Sequence, residues 1–291
     1  MRLFIFGAGY CGQAIARRLA AQSEWIAGTT RSPEKFAALS AAGIRPFLFE
    51  GTGFPAKAEQ SLAEATHLLV SIAPDEAGDP VLRAARDTIE KEMPALRWIG
   101  YLSTVGVYGD HAGGWVDEDS PCRPVSKRSV QRLAAEAEWR AVGSQPGLPV
   151  AILRLSGIYG PGRNALVNLR KGTARRIVKP GQVFNRVHVD DIAGATAFLA
   201  ARETGGTFNV TDDEPAPPQD VVAYAARLMG VEAPPELDFE EADLSPMARS
   251  FYGENKRVSN SRIKAEGYRF LRPNYRDAFD ALWRTGGWRD G

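Results

Sequence analysis

"RLFIFGAGYCGQAIARRLAAQ", residues 2–22, is the stretch on which the reading of this chain turns. Its first five residues are a short apolar run of strand length, and from Tyr10 onward the apolar residues recur at helical spacing. Between the two segments Gly7, Gly9 and Gly12 stand in GxGxxG order. Glycine is common and the pattern alone is weak, but at a strand-to-helix junction it has a mechanism. Gly7 permits a tight turn, Gly9 lets backbone approach a pyrophosphate, and Gly12 lets the helix pack closely on the strand. The start of the helix then meets the phosphates with backbone N–H groups and the positive end of its dipole. Tyr10 and Cys11, in that first turn, join the glycines as cofactor-binding positions, with Cys11 read as a packing residue.

Outward from this loop, short apolar runs alternate with amphipathic stretches. "EWIAGTT" (24–30), "IRPFLFE" (44–50), "THLLVSIAP" (66–74) and "LRWIGYLST" (96–104) read as strands. Helical stretches fall near 57–64 and 80–94, and "SPEKFAALSAAG" (32–43) reads as a helix capped by Ser32, with Pro33 in its first turn and Gly43 at its stop. Apolar strands alternating with helices imply a parallel sheet covered on both faces. Right-handed crossovers make it a doubly wound, Rossmann-type α/β fold. After residue 150 come a strand running into a Gly/Pro loop (148–162), a helix (190–202), a strand (206–215), mostly helical chain beyond 216, and a loop over 233–246. The expected organisation is a dinucleotide-binding core over 1–160. Segments from 161–291 complete that core and form a smaller substrate lobe.

The end of the second strand speaks to which dinucleotide. A carboxylate there would accept the ribose hydroxyls of NAD, whereas this chain has "TTRS", with Thr30, Arg31 and Ser32 in the place of an acid. A guanidinium and hydroxyls suit a 2′-phosphate, so NADP is preferred over NAD. Ser71 and Ala73, at the end of the fourth strand, complete the expected cofactor-binding set. The bulk properties exclude other classes. With 36 Lys and Arg against 35 Asp and Glu, the net charge of +1 gives no electrostatic case for nucleic acid or a membrane surface. No apolar run is long enough to span a bilayer and no signal peptide opens the chain, so a cytoplasmic protein is expected. Two cysteines, Cys11 and Cys122, and three scattered histidines, His67, His111 and His188, offer no metal-ligand spacing.

"LSTVGVYGD" (102–110), "VDEDSPCRP" (116–124), "LRLSGIYGPGRN" (153–164), "RVHVDDIAGA" (186–195), "FNVTDDEP" (208–215) and "NKRVSNSRIKAEGYRF" (255–270) carry a further signal. In this order they resemble the landmarks of the extended, atypical branch of the short-chain dehydrogenase/reductase superfamily, the NAD-dependent epimerase/dehydratase-like proteins. The resemblance covers nearly the whole chain. It implies a catalytic Ser/Thr at Thr104. It also implies a Tyr-x-x-x-Lys pair on the following helix, the lysine on the nicotinamide ribose and the tyrosine moving the proton that accompanies hydride transfer.

Here the two positions fall on Arg128 and Arg132, in "SKRSVQRLAAEAEW" (126–139). A guanidinium stays protonated at neutral pH and cannot replace the tyrosine as acid and base. From the lysine's place Arg132 can still donate to ribose hydroxyls, and Arg128 can meet an anionic group. On the same helix, Leu133 and Trp139 are expected to face a core, and Glu136 and Glu138 to face water. Tyr108 and Tyr159 are the candidate stand-ins for the missing tyrosine, and Lys127 points about 100° away from Arg128. The expected protein is an atypical NADP-dependent oxidoreductase or epimerase-like enzyme on a small polar or anionic substrate, with a homodimer allowed. The alternative is a catalytically silent NADP(H)-binding sensor or scaffold, and a full nucleotide-sugar epimerase ranks below both.

Overall fold

A computed structural model describes residues 1–144 and 147–289. Seven strands and the helices between them make an α/β fold with a parallel sheet. In chain order they are β1 (Arg2–Phe6), α1 (Tyr10–Leu19), β2 (Trp25–Thr30), α2 (Phe36–Ala41), β3 (Arg45–Leu48), α3 (Ala56–Ala63), β4 (His67–Val70), α4 (Pro80–Lys91), β5 (Trp98–Thr104), α5 (Lys127–Val142), β6 (Val150–Leu155), α6 (Val189–Ala201) and β7 (Gly206–Val210). The sheet order is 3-2-1-4-5-6-7. The reversal beside β1 places the β1 and β4 carboxyl ends at a topological switch point, where open α/β sheets bind ligands. The strands read as apolar because they are covered on both faces: every residue of β4 and β6 is buried, including His67 and Arg154. Phe4, Phe6, Leu68, Val70, Ile99, Tyr101, Trp139 and Ile152 belong to one core between sheet and helices.

The chain divides into two compact units, each assembled from separated segments. The first comprises Met1–Thr104, Lys127–Arg154 and Ile192–Phe208, and holds the sheet. The second comprises Val105–Ser126, Leu155–Asp191 and the chain from Asn209 onward. It contains three two-stranded parallel pairings: 157–159 with Arg186–His188, Arg176–Val178 with Glu236–Asp238, and Trp115–Val116 with Arg257–Val258. Its core gathers Tyr159, Leu166, Val221, Tyr275, Phe279 and Trp288.

Three local expectations are corrected. Ser32 opens only a 3₁₀ turn, Pro33–Lys35, and makes no side-chain cap; the α-helix is the shorter Phe36–Ala41. The expected loop over 233–246 contains the strand Glu236–Asp238. Glu136 does not face water but is fully buried. Its carboxylate accepts from Ser103 Oγ at 2.5 Å, from Arg154 Nη2 at 2.8 Å and Nε at 3.2 Å, and from Arg140 Nη2 at 2.8 Å. A buried carboxylate is tolerable only when paired and hydrogen-bonded in this way.

Candidate functional site

The carboxyl ends of β1, β2, β4 and β5 converge within the first unit. Gly7 has φ +90°, a left-handed conformation that favours glycine. Thr29, buried at the end of β2, holds the turn twice: its hydroxyl accepts from Gly7 N–H at 2.9 Å and its carbonyl from Ala8 N–H at 2.8 Å. From the other side Ser71 N–H donates to Phe6 O at 2.8 Å. A Cβ on Gly12 would lie 2.7 Å from Gly7 O, so only glycine lets α1 seat on the turn. A Cβ on Gly9 would meet no protein atom within 4 Å. Gly12 is thus required by the protein's own packing, whereas Gly9 fronts open space at the helix start. Tyr10 is half-buried and Cys11 buried in the first turn of α1.

The rest of the expected cofactor set lies on neighbouring strand ends. Thr30 accepts from Ser32 N–H at 3.2 Å, which folds the chain back after β2. Arg31 next to it is exposed and, among the described residues, has no ion pair. Ser71 is half-buried and Ala73 exposed, and Ile72 between them sits where a Gly7 Cβ would touch it at 3.0 Å.

Arg132 reaches this loop from α5. Its Nη1 donates to Leu102 O at 2.9 Å, to Tyr101 Oη at 3.2 Å and to Ile72 O at 3.3 Å, and the guanidinium lies 5.5 Å from the Tyr101 ring centroid. Burial pushes the Tyr101 hydroxyl above the ordinary tyrosine range, so it remains a hydroxyl able to accept from Arg132. Arg132 thereby clamps the end of β5 to the loop after β4. Its Nε and Nη2 make no hydrogen bond among the described residues. Behind it, Trp139 Nε1 donates at 3.0 Å to Oδ2 of buried Asp79. The other oxygen of Asp79 caps α4 by accepting from the N–H groups of Val81 and Leu82. Burial raises the Asp79 carboxyl against the lowering effect of these bonds.

Arg128, one turn before Arg132, is exposed. Thr104 ends β5 and is half-buried. Lys127 is exposed, 3.9 Å from Glu76. The two candidate stand-in tyrosines belong to the second unit. Tyr108 is wholly buried and donates to Asn209 Oδ1 at 2.7 Å, the geometry of a packing residue. Tyr159 is buried against His188 and Phe279. His67 and His111 are bound to backbone carbonyls, of Ala200 and Tyr108. Among the described residues no group of three or more His, Cys, Asp or Glu is arranged to hold a metal ion, and no helix is long and apolar enough to cross a membrane.

Sequence reasoning missed Thr29 as the clamp on the glycine turn. The threonine was visible in "GTTR", but its bond to Gly7 depends on β1 pairing with β2, which no local pattern reports.

The family model for the NAD dependent epimerase/dehydratase family matches residues 79–211, from the cap of α4 through β7. Over that stretch the chain is similar to the NAD-dependent epimerase/dehydratase family. The chain is 29% identical over 244 residues to protein YeeZ of Escherichia coli K12, covering 80% of this chain and 85% of YeeZ. It is similar to the structure of a functionally unknown conserved protein from Silicibacter pomeroyi, at 51% identity and a TM-score of 0.89 over 97% of this chain and 98% of that one. The human epimerase family protein SDR39U1, solved with NADPH, superposes with a TM-score of 0.73 at 19% identity over 98% of this chain and 100% of that one. That likeness is one of fold.

Proposed function

We propose that the first unit binds a nicotinamide dinucleotide, NADP(H) in preference to NAD(H). On this reading the protein is an atypical oxidoreductase or epimerase-like enzyme acting on a small polar or anionic substrate. The observation that carries the reading is the division of labour in the glycine turn. Gly7 and Gly12 are fixed by backbone conformation and packing, while a Cβ on Gly9 would meet nothing within 4 Å among the described residues. A turn shaped by two glycines around a third that faces open space fits a ligand whose phosphates approach the backbone. Arg31 at the end of β2, exposed and without an ion pair among the described residues, supports a 2′-phosphate partner.

When bound, the nicotinamide supplies hydride chemistry. The residues of this chain supply positioning. The Ser71–Ala73 loop and the end of β5 flank the turn, and Arg132 fixes both through Ile72 O and Leu102 O, leaving Nε and Nη2 for a ribose hydroxyl. Thr104 orients a substrate oxygen, and Arg128 offers a charge to an anionic substrate group. Neither arginine moves a proton, so carbonyl reduction of the usual family kind is not expected of the parent.

The test is NADPH oxidation with a panel of aldehydes, ketones and oxo acids, for the parent and for Arg128→Tyr combined with Arg132→Lys. The reading predicts tight NADPH binding by both proteins and carbonyl reduction by the double variant that exceeds the parent's. A parent that fails to bind NADPH overturns it. The second reading, a silent NADP(H)-binding protein, is favoured by the same loss of the proton-transfer pair. It predicts binding without turnover on any substrate.

A further inference from the structure

The end of β2 carries two adjacent threonines whose hydroxyls act on different parts of the first unit. Neighbours on a strand point their side chains to opposite sides of it. Thr29 is buried, and its hydroxyl accepts from Gly7 N–H at 2.9 Å. Thr30 is half-buried, and its hydroxyl accepts from Ser32 N–H at 3.2 Å, on the stretch that carries Arg31. The backbone of the strand end is seated independently of these two bonds. Thr29 O accepts from Ala8 N–H at 2.8 Å, and Thr30 O accepts from Phe49 N–H at 3.0 Å. Each hydroxyl is thus added to a strand end that is already fixed.

The amides of the glycine turn show what Thr29 settles. Gly7 N–H goes to Thr29 Oγ1, Ala8 N–H to Thr29 O, and Gly9 N–H to Gly7 O at 2.8 Å. All three amides ahead of α1 are engaged inside the protein, with Gly7 held at φ +90° and its N–H turned toward β2. A turn fixed in this way presents the start of α1 in one orientation, which is where a phosphate is met. Thr30 acts on the chain after the strand. Its bond to Ser32 N–H closes a turn over Arg31, of the kind a hydroxyl makes with the backbone two residues on. Ser32 O then accepts from Lys35 N–H at 3.0 Å, which leads into the 3₁₀ turn. Arg31 has no ion pair among the described residues, so this backbone turn is what places it.

We propose that Thr29 and Thr30 are positioning residues with separable roles. Thr29 sets affinity for the pyrophosphate by holding the glycine turn, and Thr30 sets the preference for a 2′-phosphate by holding the backbone around Arg31. The assignment rests on the dinucleotide reading above and adds to it, since the two hydroxyls act through Gly7 and Arg31. The pyrophosphate is common to NADH and NADPH, so a disturbed glycine turn weakens both alike. The 2′-phosphate belongs to NADPH alone, so a displaced Arg31 weakens that cofactor and spares the other. A purely structural role costs stability without sorting the two cofactors in this way.

Valine keeps the shape of threonine without the hydroxyl, so Thr29→Val and Thr30→Val test the pair by calorimetric titration with NADPH and with NADH. Loss of one hydrogen bond corresponds to about a three- to tenfold change in affinity. The expected result is a weakening of that size for both cofactors in Thr29→Val, and for NADPH alone in Thr30→Val. Thr29→Ser and Thr30→Ser keep the hydroxyl and should bind as the parent does. Amide hydrogen exchange of the ligand-free protein gives a second readout: Gly7 N–H should exchange faster in Thr29→Val and at the parent's rate in Thr30→Val. Parent-like affinities in both valine variants, or equal losses for the two cofactors in Thr30→Val, overturn the proposal. So does a valine variant that fails to fold while its serine counterpart folds. A parent that binds neither cofactor overturns the dinucleotide reading itself, and this assignment with it.

Discussion

Arg31 and Arg132 are both cations at the carboxyl edge of the sheet, yet they are held in opposite ways. Arg132 spends one nitrogen on two backbone carbonyls and a hydroxyl, whereas Arg31 is exposed and has no ion pair among the described residues. An arginine kept for a ligand phosphate shows its worth only with that ligand. Arg31→Ala is therefore expected to weaken NADPH binding by about ten- to a hundredfold and to leave NADH nearly unchanged, read by calorimetric titration. Equal losses for both would show that Arg31 does not meet the 2′-phosphate.

Two other single residues contribute to the pH response. Burial raises the Asp212 carboxyl to about 8 and lowers His188 to about 4. For Asp212 the folded state holds the proton that the unfolded chain releases, so its contribution is present in acid and lost as pH rises toward 8. For His188 the folded state excludes the proton that the unfolded chain takes up, so its contribution is present above about 6.5 and lost as pH falls toward 4. Below about 6.5 the two effects oppose each other. Between about 6.5 and 8 Asp212 is the one of these two that still titrates, and its contribution should fall by about 2 kcal/mol. Denaturant melts of Asp212→Asn should lack this alkaline decline. A variant that declines as steeply as the parent would mean another group is responsible.

Among the elements, α5 carries the most information and was the hardest to read. Its place beside β5 and the position of Arg132 at a strand end were legible, because landmarks on either side bracket the helix and four-residue spacing sets a face. The fate of Glu136 was not. From periodicity it belongs on the wet face, but Ser103 on β5 and Arg154 on β6 close over it from strands remote in sequence. Arg154 is itself buried, so removing Glu136 takes away the carboxylate that its charge pairs with in the core. Glu136→Ala is predicted to cost about 3–5 kcal/mol in urea unfolding. A loss below about 1 kcal/mol would mean that the pair adds little and that water reaches Arg154.

For the molecule as a whole, the parallel sheet follows from the alternation of apolar runs and amphipathic segments, which is why the α/β class was legible, whereas the strand order and the small pairings of the second unit rest on contacts remote in sequence. The glycine turn was legible for the same reason, since it sits at a strand-to-helix junction. The division into units was less visible, because each unit is stitched from separated segments and no linker marks a boundary. The central claim is that the first unit is built around a dinucleotide, and Gly9 isolates that claim from the protein's own packing. Its φ of −83° suits any residue, and a Cβ there meets no atom of the described residues within 4 Å. Gly9→Val should accordingly leave unfolding free energy within about 0.5 kcal/mol of the parent, as for other exposed positions. Calorimetric titration of this variant with NADPH is the most direct test. The account predicts that affinity falls by about a hundredfold or more, the equivalent of about 3 kcal/mol of overpacking against the pyrophosphate. A folded Gly9→Val protein that binds NADPH as tightly as the parent would contradict it.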